Sequence, residues 1–428
     1  MNFILEEINP ECIPDDVLFF LEQLFDAGFE SYLIGGAVRD LLLGKTVNDF
    51  DITTSANPEE ISEVFKDFKQ VKDGIKYGTV GIIKGKKLYE ITSFRSDGAY
   101  LDHRHPESVK LTRSLFEDTK RRDFTINQIA YSPNKGIVDY HGGMEDLQAG
   151  IMRTVGEAKR RFSEDALRIM RCYRFAASLG FTIEKSCLKE AEQGINDLDY
   201  ISAERIYSEF KRLLEAEFLE ENWDILQVPL QYLLPTQTVN FLKEFNLLAF
   251  NLVPKNFISR LTLLLLGNSE FELEEIAKNL SLSKNDKSFL LSYGFCLSLS
   301  PSDLPKSIVS CLILARDKKL DLNLLKKFLE AKYLIGEKLT YSSTHAILRS
   351  DLHLALKGFS RAVSTIESKR LPKTVADLAI DGQDLLELGI EEGPKLGQIL
   401  NDVWVKVVNL ELENSREMLI NWVNSLKL

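Results

Sequence analysis

Two aspartates separated by one residue, Asp49 and Asp51 in VNDFDITTS, carry the clearest chemical potential in the chain. Side chains alternate along a strand, so the pair would converge on one face while Phe50 turns into the core. Convergent carboxylates suit hard cations such as Mg2+. Phosphoryl transfer uses such cations, one to lower the pKa of the attacking hydroxyl and a second to bridge the triphosphate and neutralise the leaving pyrophosphate. Just upstream, YLIGGAVRDLLLG reads as an apolar strand that ends at Gly35-Gly36 and runs into a helix. Glycines there let backbone N–H groups come close to phosphate oxygens, and Arg39 adds a cation one turn on. An isolated Asp-x-Asp also occurs on solvated strand edges, and an isolated Gly-Gly is usually a turn. The succession GGAVRD and then, nine residues on, DFDI is what points to a metal-dependent nucleotide site.

A two-metal site normally takes a third carboxylate from a neighbouring strand. Glu90 in KLYEITSFR is the best placed, with Tyr89 and Ile91 facing the other way, although a surface glutamate fits the same pattern. In KRRDFTINQIAY, Lys120, Arg121 and Arg122 precede Asp123, and Asn127 follows four residues later. Positions four apart share a helix face, so Asp123 and Asn127 can address one ligand while Arg122 meets phosphate. A carboxylate and an amide suit sugar hydroxyls. The plainer reading is a solvated basic turn.

In RFSEDALRIMRCYRFAASLGF, Ser163 reads as a helix N-cap with Glu164 and Asp165 in the first turn. Asp165 and Arg168, three apart, then lie side by side, and Arg171 and Arg174 continue the spacing. A carboxylate beside a guanidinium offers an acceptor and a forked donor, enough to imitate the Watson–Crick partner of a base. For CTP, Arg168 would donate to O2 and N3 while Asp165 accepts from the 4-amino group; for ATP, Asp165 would accept from the 6-amino group and Arg168 donate to N1. The plainer reading is a capped helix with surface ion pairs. Leu167, Met170 and Phe175 give it an apolar seam.

The elements that must hold these residues divide the chain. Up to about residue 145, short apolar runs (YLIGG, GTVGIIKG, KLYEITSF) alternate with the helical pattern PEEISEVFKDF, and this is the only strand-rich region. Beyond residue 146 the periods are helical, with breaks at His141-Gly142-Gly143, near EAEFLEENWD and at SPSDLPKS. With 428 residues, 44% of them hydrophobic, several packed units are expected. The net charge of −11 argues against a protein that coats nucleic acid indiscriminately. A local exception runs from Arg153 through Lys159, Arg160, Arg161, Arg168 and Arg171 to Arg174, against Glu157, Glu164 and Asp165, and is the natural place for a polyanion. The five cysteines lack the spacing of a zinc site and argue against a disulfide framework. An acidic N-terminus and the lack of an apolar run of about 18 residues point to the cytoplasm and away from membranes.

GGAVRD with DFDI, RRDFTIN and EDALR together resemble the class II tRNA nucleotidyltransferase and poly(A) polymerase family of the polymerase-β-like superfamily. The resemblance is dense from about residue 30 to residue 215. It implies an α+β protein: a mixed α/β nucleotidyltransferase head (1–145), then a helical neck that recognises the base (146–215), a helical body (216–310) and a helical tail (311–428). It implies Mg2+ on Asp49 and Asp51, with Glu90 as a further catalytic carboxylate. Nucleotide binding falls to Gly35, Gly36, Arg39, Arg122, Asp123, Asn127, Asp165, Arg168, Arg171 and Arg174, with Arg171 and Arg174 contributing to triphosphate and base contacts. GGMEDLQAGIMRTVGEA, with Asp146 and Arg153, looks like the family's hinge, and ISAERIYSEFKRLL like its helix-stabilising motif.

The implied activity is template-free addition of CCA to tRNA from CTP and ATP, with pyrophosphate released and the tRNA acceptor arm and elbow held by body and tail through shape and phosphate contacts. RSDGAYLDHRHPESVKLTRSL, with Arg95, Asp102 and Arg104, matches a flexible loop that the family associates with switching from CTP to ATP, which favours complete CCA addition over CC addition. A-adding enzymes and poly(A) polymerases share the motifs, though a long basic C-terminal extension of the polymerase kind is not seen. A catalytically inactive RNA-binding scaffold is the alternative outside enzymes. His345 and His353 do not form the His-Asp pair of an accessory phosphohydrolase. Near the end, Gly393-Pro394 reads as a loop between helices, with a helix starting at Pro394 as the alternative.

Overall fold

The computed structural model describes residues 5, 7–98, 109–234, 247–266, 268–305, 307–338 and 343–426. Asp102 and Arg104, and most of the expected loop around them, lie outside the described residues. By contact the chain divides into two compact units, Met1–Leu233 and Leu234–Leu428.

In the first unit the strands are β1 (Ser31–Ile34), β2 (Asp51–Thr54), β3 (Lys69–Val71), β4 (Thr79–Lys84), β5 (Lys87–Ser93), β6 (Arg95–Asp97), β7 (Val109–Leu111), β8 (Ala130–Ser132) and β9 (Gly136–Val138). Seven of them make one mixed sheet, in the order β3-β4-β5-β2-β1-β8-β9, and β6 pairs only with β7. The central β1 is buried along its whole length, as its uncharged sequence Ser-Tyr-Leu-Ile allows. Helices α1 (Asp15–Asp26), α2 (Gly36–Leu42), α3 (Pro58–Val64), α4 (Leu115–Lys120) and α5 (Gly143–Ala149) complete the α/β part. α1 forms because Val17, Phe20, Leu21 and Leu24 recur at helical spacing, and all four are buried. α3 starts where Asn57 and Glu60 make a reciprocal capping box ahead of Pro58.

Next come α6 (Ala158–Glu164), α7 (Leu167–Leu179), α8 (Lys185–Gln193), α9 (Ala203–Leu214) and α10 (Trp223–Leu233). Strand pairing does not stop at residue 146 as the periodicity predicts. β10 (Ile151–Met152) runs parallel to β11 (Thr182–Ile183), a ribbon too short to show alternation in the sequence. A second difference lies in EDALR. The helix does not start at Ser163, which sits inside α6 and donates to the Arg160 carbonyl oxygen. Glu164 ends α6, Asp165 is extended (φ −143°, ψ 103°), and α7 begins only at Leu167. Asp165 takes the capping role instead, accepting from Leu167 N at 3.2 Å. The expected seam holds, with Leu167, Met170 and Phe175 all buried.

The described part of the second unit is helical. At its C-terminal end Leu385, Ile399, Val403, Val407, Leu419 and Val423 form an apolar core, with the Trp404 indole donating to the Pro372 carbonyl oxygen at 3.0 Å. A helix does start at Pro394, so Gly393-Pro394 is a helix entry rather than a plain loop. His353 lies against the Tyr333 ring, 5.5 Å between centroids, and the His345 side chain lies outside the described residues. Among the described residues no helix is long and apolar enough to cross a membrane.

Candidate active site

Asp51 opens β2 opposite Ile34, the last residue of β1. β2 runs parallel to β5 with Ile52 beside Ile91, so Asp51 and Glu90, each one residue earlier, are neighbours on the face opposite the two buried isoleucines. Asp49 is not on the strand but on the approach to it, and Phe50 is only half-buried rather than a core residue. Alternation therefore accounts for Asp51 and Glu90, and the turn into β2 accounts for Asp49. Asp51 keeps an exposed edge, yet enough protein surrounds its carboxyl that desolvation raises its pKa. The charges of Asp49 and Glu90 raise it further, against Arg122. Such mutual repulsion fits a donor set for a divalent cation. Among the described residues no three His, Cys, Asp or Glu side chains close around a single point.

Gly35 follows β1 and caps α2 with φ 83° and ψ −140°, a conformation essentially restricted to glycine. A Cβ there would stand 3.5 Å from Asp51 Oδ2 and 3.9 Å from Arg122 Nη1, so the glycine keeps the floor between the carboxylate and the guanidinium open. Gly36 then begins α2. Arg39 is buried and directed inward: its Nη1 donates to Asn127 Oδ1 at 2.7 Å, its Nε and Nη2 fork onto Asp40, and its Cζ lies 5.0 Å from the Phe175 ring centroid. Arg122 donates through Nη2 to Asp118 at 3.0 Å, and among the described residues its buried Nε has no hydrogen-bond partner.

Asp123 and Asn127 do not lie on one α-helical face. Asn127 ends a 3-10 turn over Thr125–Asn127 and Asp123 precedes it, and the two bond to each other, Asn127 Nδ2 donating to Asp123 Oδ1 at 3.2 Å. Arg171 clasps the other Asp123 oxygen through Nε at 2.8 Å and Nη2 at 2.5 Å. Burial alone would raise the Asp123 pKa, but the Arg171 charge and hydrogen bonds outweigh it and hold the carboxyl at about 2. Arg174 is paired with Glu209 at 2.5 Å, and Arg171 Nη1 reaches the same carboxylate at 3.9 Å. Burial, opposed by Glu209, lowers the Arg174 pKa to about 10. Asp123, Asn127, Arg39, Arg171 and Arg174 thus form one continuous ionic network.

Asp165 and Arg168 are not paired with each other. Asp165 accepts from Arg205 Nη2 at 3.2 Å, while Arg168 donates to the carbonyl oxygens of Arg161 and Arg121, both at 3.0 Å, and to Glu164 at 2.9 Å. The extended backbone at Asp165 breaks the i,i+3 geometry that would have made them neighbours. Three partners went unnamed in the sequence reading. Asp118 is fully buried and binds Arg121, Arg122 and the Arg95 backbone N–H. Glu209 and Arg205, both within ISAERIYSEFKRLL, anchor Arg174 and Asp165. The spacing Asp118 to Arg122, four apart, was the available signal for the first; the other two are long-range pairs without a local signal. Asp146 and Arg153 bond to each other, Arg153 Nε donating to Asp146 at 3.1 Å, and Asp146 also accepts from Thr125, two residues after Asp123.

This end of the interior strands β1 and β2, with Asp51 facing Arg122 across a glycine turn, has the make-up of a nucleotidyltransferase head. Residues 31–153 match the poly A polymerase head domain, and residues 316–423 match a putative tRNA nucleotidyltransferase domain 2. Over almost its whole length the chain is similar to CCA-adding enzymes. The enzyme from Pediococcus pentosaceus is 34% identical over 96% of this chain and 98% of its own. That from Streptococcus suis is 33% identical over 96% of each. A crystal structure of the Bacillus stearothermophilus CCA-adding enzyme in complex with CTP is 30% identical, covers 96% of each chain and has a TM-score of 0.68. The chain belongs to the CCA-adding enzyme family.

Proposed function

We propose that this chain adds CCA to the 3′ ends of tRNA from CTP and ATP, without a nucleic-acid template and with release of pyrophosphate. The observation that carries the reading is the grouping of Asp51 with Asp49 and Glu90 beside Gly35 and Arg122, in a chain that matches CCA-adding enzymes end to end. The RNA 3′-hydroxyl attacks the α-phosphorus of the nucleotide, a P–O bond forms, and the bond to pyrophosphate breaks. Asp49 and Asp51, with Glu90 as third carboxylate, would hold Mg2+, which supplies charge neutralisation and a lowered hydroxyl pKa. Arg122 and the Gly35-Gly36 turn receive the triphosphate. Asp123 and Asn127 read the sugar, with Arg39, Arg171 and Arg174 fixing their positions and adding positive charge.

Base choice falls to Asp165 and Arg168, which would exchange their present partners, Arg205 and Glu164, for the edge of the base. The helical second unit would hold the acceptor arm and elbow through the phosphates. We place the protein in the cytoplasm, where its five free thiols would stay reduced. The test is transfer of labelled CTP and ATP to tRNA ending before CCA. Incorporation from CTP alone excludes A-only addition and polyadenylation, and any incorporation excludes an inactive scaffold.

A further inference from the structure

Helix α4 carries a second feature that the nucleotide site does not use. Phe116 and Tyr140 are large aromatic residues that stay 42% and 48% exposed. They meet edge to face at 5.5 Å, and the His141 ring stacks on Phe116 at 5.6 Å with 25° between planes. Thr119 Oγ1, 3.1 Å from His141 Nε2, fixes that ring. Lys120 Nζ lies 5.9 Å from the Phe116 centroid, and the Lys120 side chain is 55% exposed. Burial lowers the His141 pKa, and the charges of Lys120 and Arg161 lower it further against Asp139, so the rings and the cations share one electrostatic neighbourhood.

The platform continues into a cleft of about 120 Å³ lined by Lys120, Arg121, Arg160 and Arg161, with Glu117 and Glu164 as its acids. Arg161 joins the two sides by donating to the Lys120 carbonyl oxygen at 3.0 Å, and the Arg160 side chain is 69% exposed. Exposed rings beside a cationic cleft, on a chain of net charge −11, match the way single-stranded nucleic acid is held: bases stack on rings and phosphates follow the cations. Lys120, Arg121 and Arg122 are consecutive, and Asp118 binds both arginines, so the cationic track leads from the rings to the guanidinium that faces Asp51.

We propose that this surface holds the unpaired 3′ end of the RNA substrate, one base stacking on Phe116 and Tyr140 while its phosphates meet Lys120 and Arg160. The proposal rests on the reading of the chain as an enzyme that extends RNA 3′ ends. Bases inside a double helix have both faces covered by their neighbours and offer none to the rings, and a protein partner would not account for the run of cations toward the carboxylates.

The test uses the full chain and fluorescence anisotropy with two labelled RNAs, a tRNA with its unpaired 3′ nucleotides and the same tRNA trimmed to a blunt acceptor stem. For Phe116→Ala/Tyr140→Ala, Kd for the tailed RNA should rise about tenfold while Kd for the blunt RNA stays within about twofold, as loss of one stacked base requires. Phe116→Tyr/Tyr140→Phe should retain wild-type binding, which a role of the rings in stacking predicts. Lys120→Ala should flatten the dependence of log K on log salt by about 0.7, one single-strand phosphate contact. Equal losses for both RNAs, or none for either, would overturn the proposal. Incorporation of CTP by the unaltered chain, measured in parallel, separates that outcome from failure of the enzymatic reading.

Discussion

Asp123 is the residue whose environment says most about how this site is kept ready. Its carboxyl is held at about 2, against an ordinary 3.8, because Arg171 grips it through two nitrogens inside the protein. A depressed carboxyl pKa stabilises the folded state above the unfolded value and loses that contribution as pH falls from 3.8 toward 2. The shift corresponds to about 2 kcal/mol. Denaturant unfolding of wild type and Asp123→Asn should therefore show a stability gap at pH 6 that narrows as pH falls through 3.8, with most of that amount gone by about pH 2. A gap independent of pH would mean that the carboxylate is not held as described. Arg168 has a different part. Its fork is occupied by Glu164 and two carbonyl oxygens, so under the proposed function it would have to exchange partners to reach a base. Arg168→Ala should reduce the preference for CTP over UTP roughly ten- to a hundredfold, the scale of a forked contact to a base edge, as measured by kcat/KM for each nucleotide. The outward faces of Asp51 and Glu90 were readable in the sequence because strand alternation is a local rule, whereas Asp49 lies before β2 and the pairing of β2 with β5 joins distant residues. The partners of Asp165 and Arg168 were not, since Arg205 lies 40 residues from Asp165 and the extended backbone at Asp165 interrupts letters that otherwise favour helix.

At the scale of elements, α4 and the turn after it act as a bracket. Asp118 is buried without exposure to solvent, and although burial would raise its pKa, the charges of Arg122 and Arg121 lower it. It also accepts from the Arg95 N–H at 3.2 Å, which ties the start of β6 to the arginines that face the carboxylates. Removing one member of such a buried set leaves charges uncompensated, at a cost of about 3–5 kcal/mol. Asp118→Ala should lose stability on that scale, and Asp118→Glu, which keeps the charge, should recover part of it. For Asp118→Glu the KM for CTP should rise more than kcat falls, because Arg122 is displaced while Asp49 and Asp51 are not. The central strands, α3 and the start of α2 were readable from the apolar runs, the helical period and the paired glycines, whereas α1 was not singled out. The β10–β11 ribbon was not, because two residues per strand carry no alternation and the pairing is fixed by Thr182 and Glu184 N–H groups reaching Gly150 and Met152.

The whole molecule is two compact units with different chemistry, an α/β and helical unit to Leu233 and a helical unit beyond it. The first holds every residue assigned to nucleotide chemistry, and the second is rich in apolar helix faces whose sequence carries no catalytic signal. Expressed alone, Met1–Leu233 should unfold cooperatively and still bind CTP, while its affinity for tRNA falls more than about tenfold as phosphate contacts of the helical unit are lost. Retained tRNA affinity would place RNA binding wholly in the first unit. The central claim is that Asp49 and Asp51 carry out nucleotide transfer to tRNA. Its most direct measurement is incorporation of labelled CTP and then ATP into tRNA ending before CCA, by the wild-type chain and by Asp49→Ala and Asp51→Ala. Sequential addition of two cytidines and one adenosine by the wild type, with incorporation at background in both variants and tRNA binding retained, is the expected result. Wild-type rates in either variant would contradict it.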